Sequence, residues 1–199
     1  MDERIIDPFI WYGVKDWVED YMYLRLGLEA SLGQSFNMAF PDEKITKREK
    51  TTRISQLLSS FFEEGPYLML KEAGVNVTEK KSSNGDIIIN DEPWEIKTTQ
   101  GDCPTGSTHS AQKPKNYAFI KYKLDRDKII VSGSNEGIIT EFGVWISDSV
   151  NNEWWKGKAT ENNSQTSLNI PIDKSYKINT VIGNLTHGTK YCKLINEVI

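Results

Sequence analysis

The chain has 199 residues, 38% hydrophobic and 26% charged, with 24 Lys+Arg against 28 Asp+Glu. That length can bury a real core in one domain, and six Trp, eight Tyr and seven Phe exclude wholesale disorder. A net charge of −4 argues against a simple nucleic-acid binder, which usually carries a basic pI.

The first third reads as helical. Val14, Trp17, Val18, Tyr21, Leu24 and Leu28 recur at three- and four-residue steps, one apolar stripe. A second helix carries Ile54, Leu57, Leu58, Phe61 and Phe62 at the same spacing, with Thr46 and Glu49 placed as a capping box. Gly65-Pro66 is expected to interrupt it, Tyr67 to Ala73 to add a short turn, and Gly74 to stop it. These stripes suit core or dimer packing.

After Gly74 the period becomes two. Val75 and Val77 alternate with polar residues, Asp86 to Asn90 is a β-branched run, and Trp94 to Thr99 alternates again. Asn90-Asp91-Glu92-Pro93 is turn chemistry, so the two runs should form an antiparallel hairpin. Asn116 to Leu124, Lys128 to Val131 and Ile138 to Ser147 read as further strands. Residues 151–177 are rich in Asn, Ser, Thr and Lys and offer little core. No repeat or long linker divides the chain. The expectation is a single α+β domain: helical over 1–74, a hairpin and following strand over 75–124, and a β-rich part over 125–199.

Some functions are disfavoured at once. No apolar run approaches the roughly 20 residues that span a bilayer. Met1-Asp2-Glu3-Arg4 leads into no signal-peptide core, so a cytoplasmic protein without a membrane partner is expected. Cys103 and Cys192 have no metal-ligand spacing around them, and His109 and His187 are too few for a histidine-rich zinc site. The charge, however, is uneven. Residues 1–100 hold 12 basic and 18 acidic side chains, residues 101–199 hold 12 and 10. Six basic residues crowd into 113–128 against Asp125 and Asp127, either a solvated face or a polyanion contact.

The hairpin holds the chemistry. Glu95 and Lys97, two apart on a strand, project from one face, with Ile96 turned to the other. With the turn centred near Asp91, Asp86 lies opposite that pair. Two carboxylates and an ammonium converging in this way suit phosphodiester hydrolysis. Hard carboxylate oxygens can hold Mg²⁺, which polarises a phosphate and acidifies bound water. Lys97 can orient the attacking water and offset charge in the transition state. A Glu-x-Lys pair is equally compatible with a surface salt bridge.

The order helix, strand, then hairpin with Asp on one arm and Glu-x-Lys on the other resembles the core of PD-(D/E)xK nucleases. The stretch beyond the hairpin resembles the PvuII-like type II restriction endonucleases. Gly106-Ser107-Thr108-His109-Ser110 leads through Pro114 into Tyr117-Ala-Phe-Ile-Lys-Tyr-Lys123. Trp154-Trp155, Ile170-Pro171 and His187-Gly188-Thr189-Lys190 keep the same order as in that family. The likeness is patchy over about residues 75–193 and leaves the first 40 aside.

The resemblance implies a restriction-endonuclease-like mixed sheet with N-terminal helices and a polar, β-rich DNA-recognition lobe. It implies Asp86, Glu95 and Lys97 as catalytic residues, with Asp86 and Glu95 binding Mg²⁺ as cofactor. It places Ser107, Thr108, His109 and Ser110 at the start of a segment entering the major groove. Gln112 and Asn116 are candidates for base edges, and Lys113, Lys115, Lys121 and Lys123 for phosphates. It further implies a prokaryotic homodimer cutting double-stranded DNA at a short palindrome, with blunt ends among the outcomes, and a cognate DNA methyltransferase in the same system. Two departures stand out: the family's triple histidine is reduced to His109-Ser110-Ala111, and an Asn pair used for base readout is replaced by Thr166-Ser167. Alternatives are a structure-specific repair or recombination nuclease of the same fold and a non-catalytic DNA-binding module.

Overall fold

The computed structural model describes residues 1–21, 47–79, 85–101, 105–107, 116–125, 138–156, 165–168 and 179–183. After a 3-10 turn at Glu3–Ile6, residues 8–21 are helical (α1), as far as the first described stretch runs. Its start is set by Asp7-Pro8. The Asp7 carboxylate accepts the Phe9 N–H at 2.9 Å, and proline at the first helical position has no N–H to leave unmatched. Trp11, Val14 and Val18 face inward, and the Trp11 indole donates to Ile5 O at 2.8 Å.

The second helix, α2, runs unbroken over Lys47–Glu72, with Pro66 inside it. The expected break at Gly65-Pro66 does not occur. An interior proline costs an isolated helix about 3 kcal/mol. Here Leu58, Phe61, Phe62 and Leu70 are buried, each contributing about 2 kcal/mol, so packing outweighs propensity. Gly65 is where α1 comes closest: a Cβ there would lie 3.0 Å from Val14 and 3.3 Å from Trp17. The helix stops as expected. Gly74 sits at φ +73°, and the N–H groups of Gly74 and Val75 bond back to Lys71 O and Leu70 O. Thr46, expected to cap its start, lies outside the described residues.

Among the described residues nine strands succeed the helices: β1 (Val77–Glu79), β2 (Ile87–Ile89), β3 (Glu92–Thr99), β4 (Thr105–Ser107), β5 (Asn116–Leu124), β6 (Ile139–Ser147), β7 (Trp155–Lys156), β8 (Gln165–Leu168) and β9 (Asn179–Ile182). Six form one mixed sheet in the order β1-β2-β3-β5-β6-β9, and three form a small sheet in the order β4-β8-β7. Of the described pairings in the main sheet, only that of β3 with β5 is parallel. The expected four-residue turn is tighter than the sequence suggested. Only Asn90 (φ 49°) and Asp91 (φ 65°) turn, and Glu92 and Pro93 already pair with Ile89 and Ile88. Positive φ at both positions is the signature of the hairpin turn whose twist matches its strands. The strand expected at Lys128 to Val131 lies outside the described residues.

The main sheet has two different faces. Trp94, Ile96, Ala118, Ile120, Tyr122, Val144 and Ile146 point to the helices and join their core, with Phe62 against Tyr122 at 4.7 Å between ring centroids. On the other face Tyr117, Phe119 and Trp145 cluster with Val150, Trp154, Trp155 and Leu168, which seats the small sheet there. The molecule is thus an α+β fold in which helices cover one side of the sheet and β-structure the other. No described helix is long and apolar enough to cross a membrane.

Glu19 pins α1 to the sheet. This carboxylate, 7% exposed, accepts the Ile139 N–H at 2.7 Å and the Lys15 ammonium at 2.9 Å. Glu19→Ala would strand a buried backbone donor and is expected to cost about 2 kcal/mol, read as a lower urea midpoint with unchanged slope.

Candidate active site

Alternation along β3 decides which side chains meet. Ile96 is 3% exposed within the helix-side core, so Glu95 and Lys97 emerge together on the opposite face. Asp86 stands one residue ahead of Ile87, the register partner of Trp94, where the β2–β3 ladder ends. Its backbone N–H donates to Trp94 O at 2.7 Å, and its carboxylate accepts the Ile96 N–H at 2.7 Å. The side chain thereby stands in for a backbone acceptor where the ladder ends, which holds the carboxylate against β3. Glu95 is 2% exposed, and the Lys97 ammonium donates to its Oε1. Glu95 and Lys97 therefore share one face of β3, and the Asp86 carboxylate is held to the same strand at the Ile96 N–H.

Gly85 makes this geometry possible. It sits at φ +91°, with the place of a Cβ only 2.8 Å from Trp94 O. No other residue fits so close to β3 in that conformation.

The parallel pairing of β3 with β5 adds a side chain that sequence reasoning did not assign to the site. Tyr117 is the register partner of Glu95 and fully buried on the same face. Burial, with the charges of Glu95 and Asp86, pushes its hydroxyl ionisation well above the ordinary range. Tyr117 reads from the sequence as one more aromatic in an apolar strand; only the register relates it to Glu95.

Further along the same face, Lys121 and Lys123 both contact Glu141, Lys121 at 2.9 Å. The two ammonium groups hold the Glu141 carboxyl below its usual range. Part of the positive charge after the hairpin is therefore balanced within the protein.

The expected DNA-contact segment is only partly described. Ser107 ends β4, Asn116 opens β5, and Thr108, His109, Ser110, Gln112, Lys113 and Lys115 lie outside the described residues, as do His187, Cys103 and Cys192. Asn116 is 7% exposed, and its amide donates to Glu92 Oε2 at 2.9 Å and Pro93 O at 3.3 Å, tying β5 to the hairpin. The small sheet pairs Gly106 with Thr166 and Thr105 with Ser167. The start of the Ser-Thr-His stretch and the Thr166-Ser167 pair, about 60 residues apart in sequence, are thus neighbouring strands.

The donor set limits what the site could hold. Among the described residues no group of three or more His, Cys, Asp or Glu is arranged to hold a metal. Asp86 and Glu95 alone suit Mg²⁺, which commonly takes one or two carboxylates and completes its shell with water and substrate phosphate. No family model, curated protein or solved structure matches the chain.

Proposed function

We propose that this protein is a type II restriction endonuclease, a Mg²⁺-dependent phosphodiesterase that cuts double-stranded DNA at a short palindrome as a homodimer. The observation that carries this is the Glu95–Lys97 pair on one face of β3, with the Asp86 carboxylate bound to the same strand through the Ile96 N–H. The order α2, β1, hairpin, and then a strand parallel to β3, supports it. So does the small sheet on the same face, which joins the two stretches whose counterparts in the resembled family read bases.

Asp86 and Glu95 would hold the ion, and bound Mg²⁺ would supply Lewis acidity toward the scissile phosphate and acidify a water. The protein's own groups do the rest. The Ile96 N–H fixes the Asp86 carboxylate, so little reorganisation is needed when phosphate arrives. Lys97, held by Glu95, would present its ammonium where negative charge grows on the phosphate and would orient the attacking water by donating a hydrogen bond to it. The aromatic packing of Tyr117, Phe119 and Trp155 keeps bulk water from the floor of the site. A second copy of the chain would find apolar surface at Phe9 and Tyr12 of α1, 84% and 49% exposed.

The deciding experiment is digestion of plasmid DNA of known sequence in Mg²⁺. Discrete fragments whose mapped ends share a palindrome are expected. A smear, or cutting of branched DNA alone, would favour a structure-specific nuclease and sink the restriction reading. No Mg²⁺-dependent cutting of any DNA would leave a binding module in which Lys97 and Glu95 are a structural ion pair.

A further inference from the structure

The site face changes sign along its length. Glu95, Lys97 and Thr99 follow one another on β3, paired with Tyr117, Phe119 and Lys121 on β5. Lys123 continues the row, and each step of two residues covers about 7 Å. The row begins at the Glu95 carboxylate and passes Lys97. It ends where Lys121 and Lys123 share the single carboxylate of Glu141, at 2.9 Å and 2.5 Å. Two ammonium groups against one carboxylate leave a positive charge in excess at that end. Lys121 is well covered, its side chain only 15% exposed. Its register partner on β6 is Gly143, and the Trp145 ring fills the place of the missing side chain: a Cβ there would lie 2.8 Å from it. Lys121 therefore reaches diagonally to Glu141, the register partner of Lys123. Lys123 and Glu141, 53% and 40% exposed, are open to an incoming anion.

Resting on the nuclease reading, we propose that Lys121 and Lys123 take backbone phosphates of the DNA strand next to the scissile one, and that Glu141 is their internal competitor, a carboxylate that holds the anion position until a phosphate displaces it. An ammonium accepts either partner, since carboxylate and phosphate oxygens make the same charge-assisted hydrogen bond. The two-residue step along β5 is of the order of the spacing between successive phosphates, so neighbouring lysines can meet neighbouring phosphates. The row also leads to Lys97, so a strand held at Lys121 and Lys123 passes over the carboxylate end of the face. Glu141 stays ionised between its two lysines and competes whenever DNA is absent. The competition weakens every contact that reads no bases, which leaves discrimination to the contacts that do.

Glu141→Gln keeps the shape and removes the charge. Anisotropy with a labelled duplex in Ca²⁺ should show binding about fivefold tighter than wild type, because an exposed ion pair no longer has to be broken. The slope of log affinity against log salt should steepen by about one. Lys123→Gln should weaken binding and flatten that slope by about one. Both shifts should be equal on duplexes of unrelated sequence, because phosphates carry no sequence information. A bridge that serves the fold alone would give no gain in affinity, only a lower unfolding midpoint. A wild-type protein that cuts DNA, beside a Glu141→Gln variant of unchanged or weaker affinity, would overturn the competitor and leave the nuclease reading standing. A Lys123→Gln variant with the wild-type salt slope would overturn the phosphate contact in the same way. Tighter binding by Glu141→Gln in a protein that cuts no DNA in Mg²⁺ would support the phosphate site and sink the nuclease reading. A wild-type protein that neither binds nor cuts duplex DNA overturns both.

Discussion

Lys97→Ala is expected to lower Mg²⁺-dependent cleavage by roughly 10²–10⁴-fold, the range typical of a lost proton-transfer or charge-stabilising group. Specific binding measured in Ca²⁺ should survive, because the proposed role of Lys97 is toward the reacting phosphate and not the bases. The same change acts on the fold. Lys97 donates to a Glu95 carboxylate that is 2% exposed, and its removal leaves that charge buried without its cation. Such a loss costs about 3 kcal/mol. A divalent cation that binds only the folded protein should return part of that stability. Lys97→Met, which keeps most of the stem, separates packing from charge. Anisotropy with labelled DNA, single-turnover cleavage and thermal melts with and without Ca²⁺ check the three arms. Wild-type cutting by Lys97→Ala would remove the lysine from the chemistry. A melt that no cation raises would remove Asp86 and Glu95 as ligands.

The largest expected loss of stability from a small substitution is at Gly85. An alanine there would hold φ +91° against its preference and place its Cβ 2.8 Å from Trp94 O and 3.1 Å from Trp94 N. Both are backbone atoms of a strand paired on each side, so β3 has no room to yield. Strain and overpacking together cost about 3 kcal/mol, which for a chain of this size lowers the melting temperature by about 10 °C. Relief comes most easily by moving residue 85 away from β3, which drags Asp86 off the Ile96 N–H. Cleavage should therefore fall further than stability alone explains when both are measured well below the melt. A Gly85→Ala protein with wild-type melting and activity would show that the chain relaxes at this point and that Asp86 does not depend on it.

Local signals were legible where they were strong and uncontested. Asn116 to Leu124 as a strand, Gly74 as a helix stop and an antiparallel hairpin after Asp86 can all be read from residue order alone. The hairpin was readable but its register was not, because the sequence offered a four-residue turn over 90–93 whereas only Asn90 and Asp91 turn, and a shift in turn length changes every partner. Pro66 misled because its local penalty is offset by a face of α2 that only the folded chain buries. In the apolar stripe of α1, Val14 and Val18 are core, whereas Tyr21 is 46% exposed and the deeply buried Trp11 fell outside the pattern. Tyr117 and the meeting of β4 with β8 were out of reach for another reason. Both depend on pairings between distant segments, and no local pattern encodes which parallel or long-range partner a strand selects.

The strict division of the main sheet bears on how such a protein can change over time. Along β3 and β5, even-numbered positions serve the helical core and odd-numbered positions serve the site and the small sheet. Drift at one set is largely invisible to the other, so a lineage could exchange its β4-β8-β7 layer over an inherited helical scaffold. The exception is the odd-numbered Tyr117. It is the register partner of Glu95 and packs on Trp155 of the small sheet, so any new layer must bring an aromatic partner of its own.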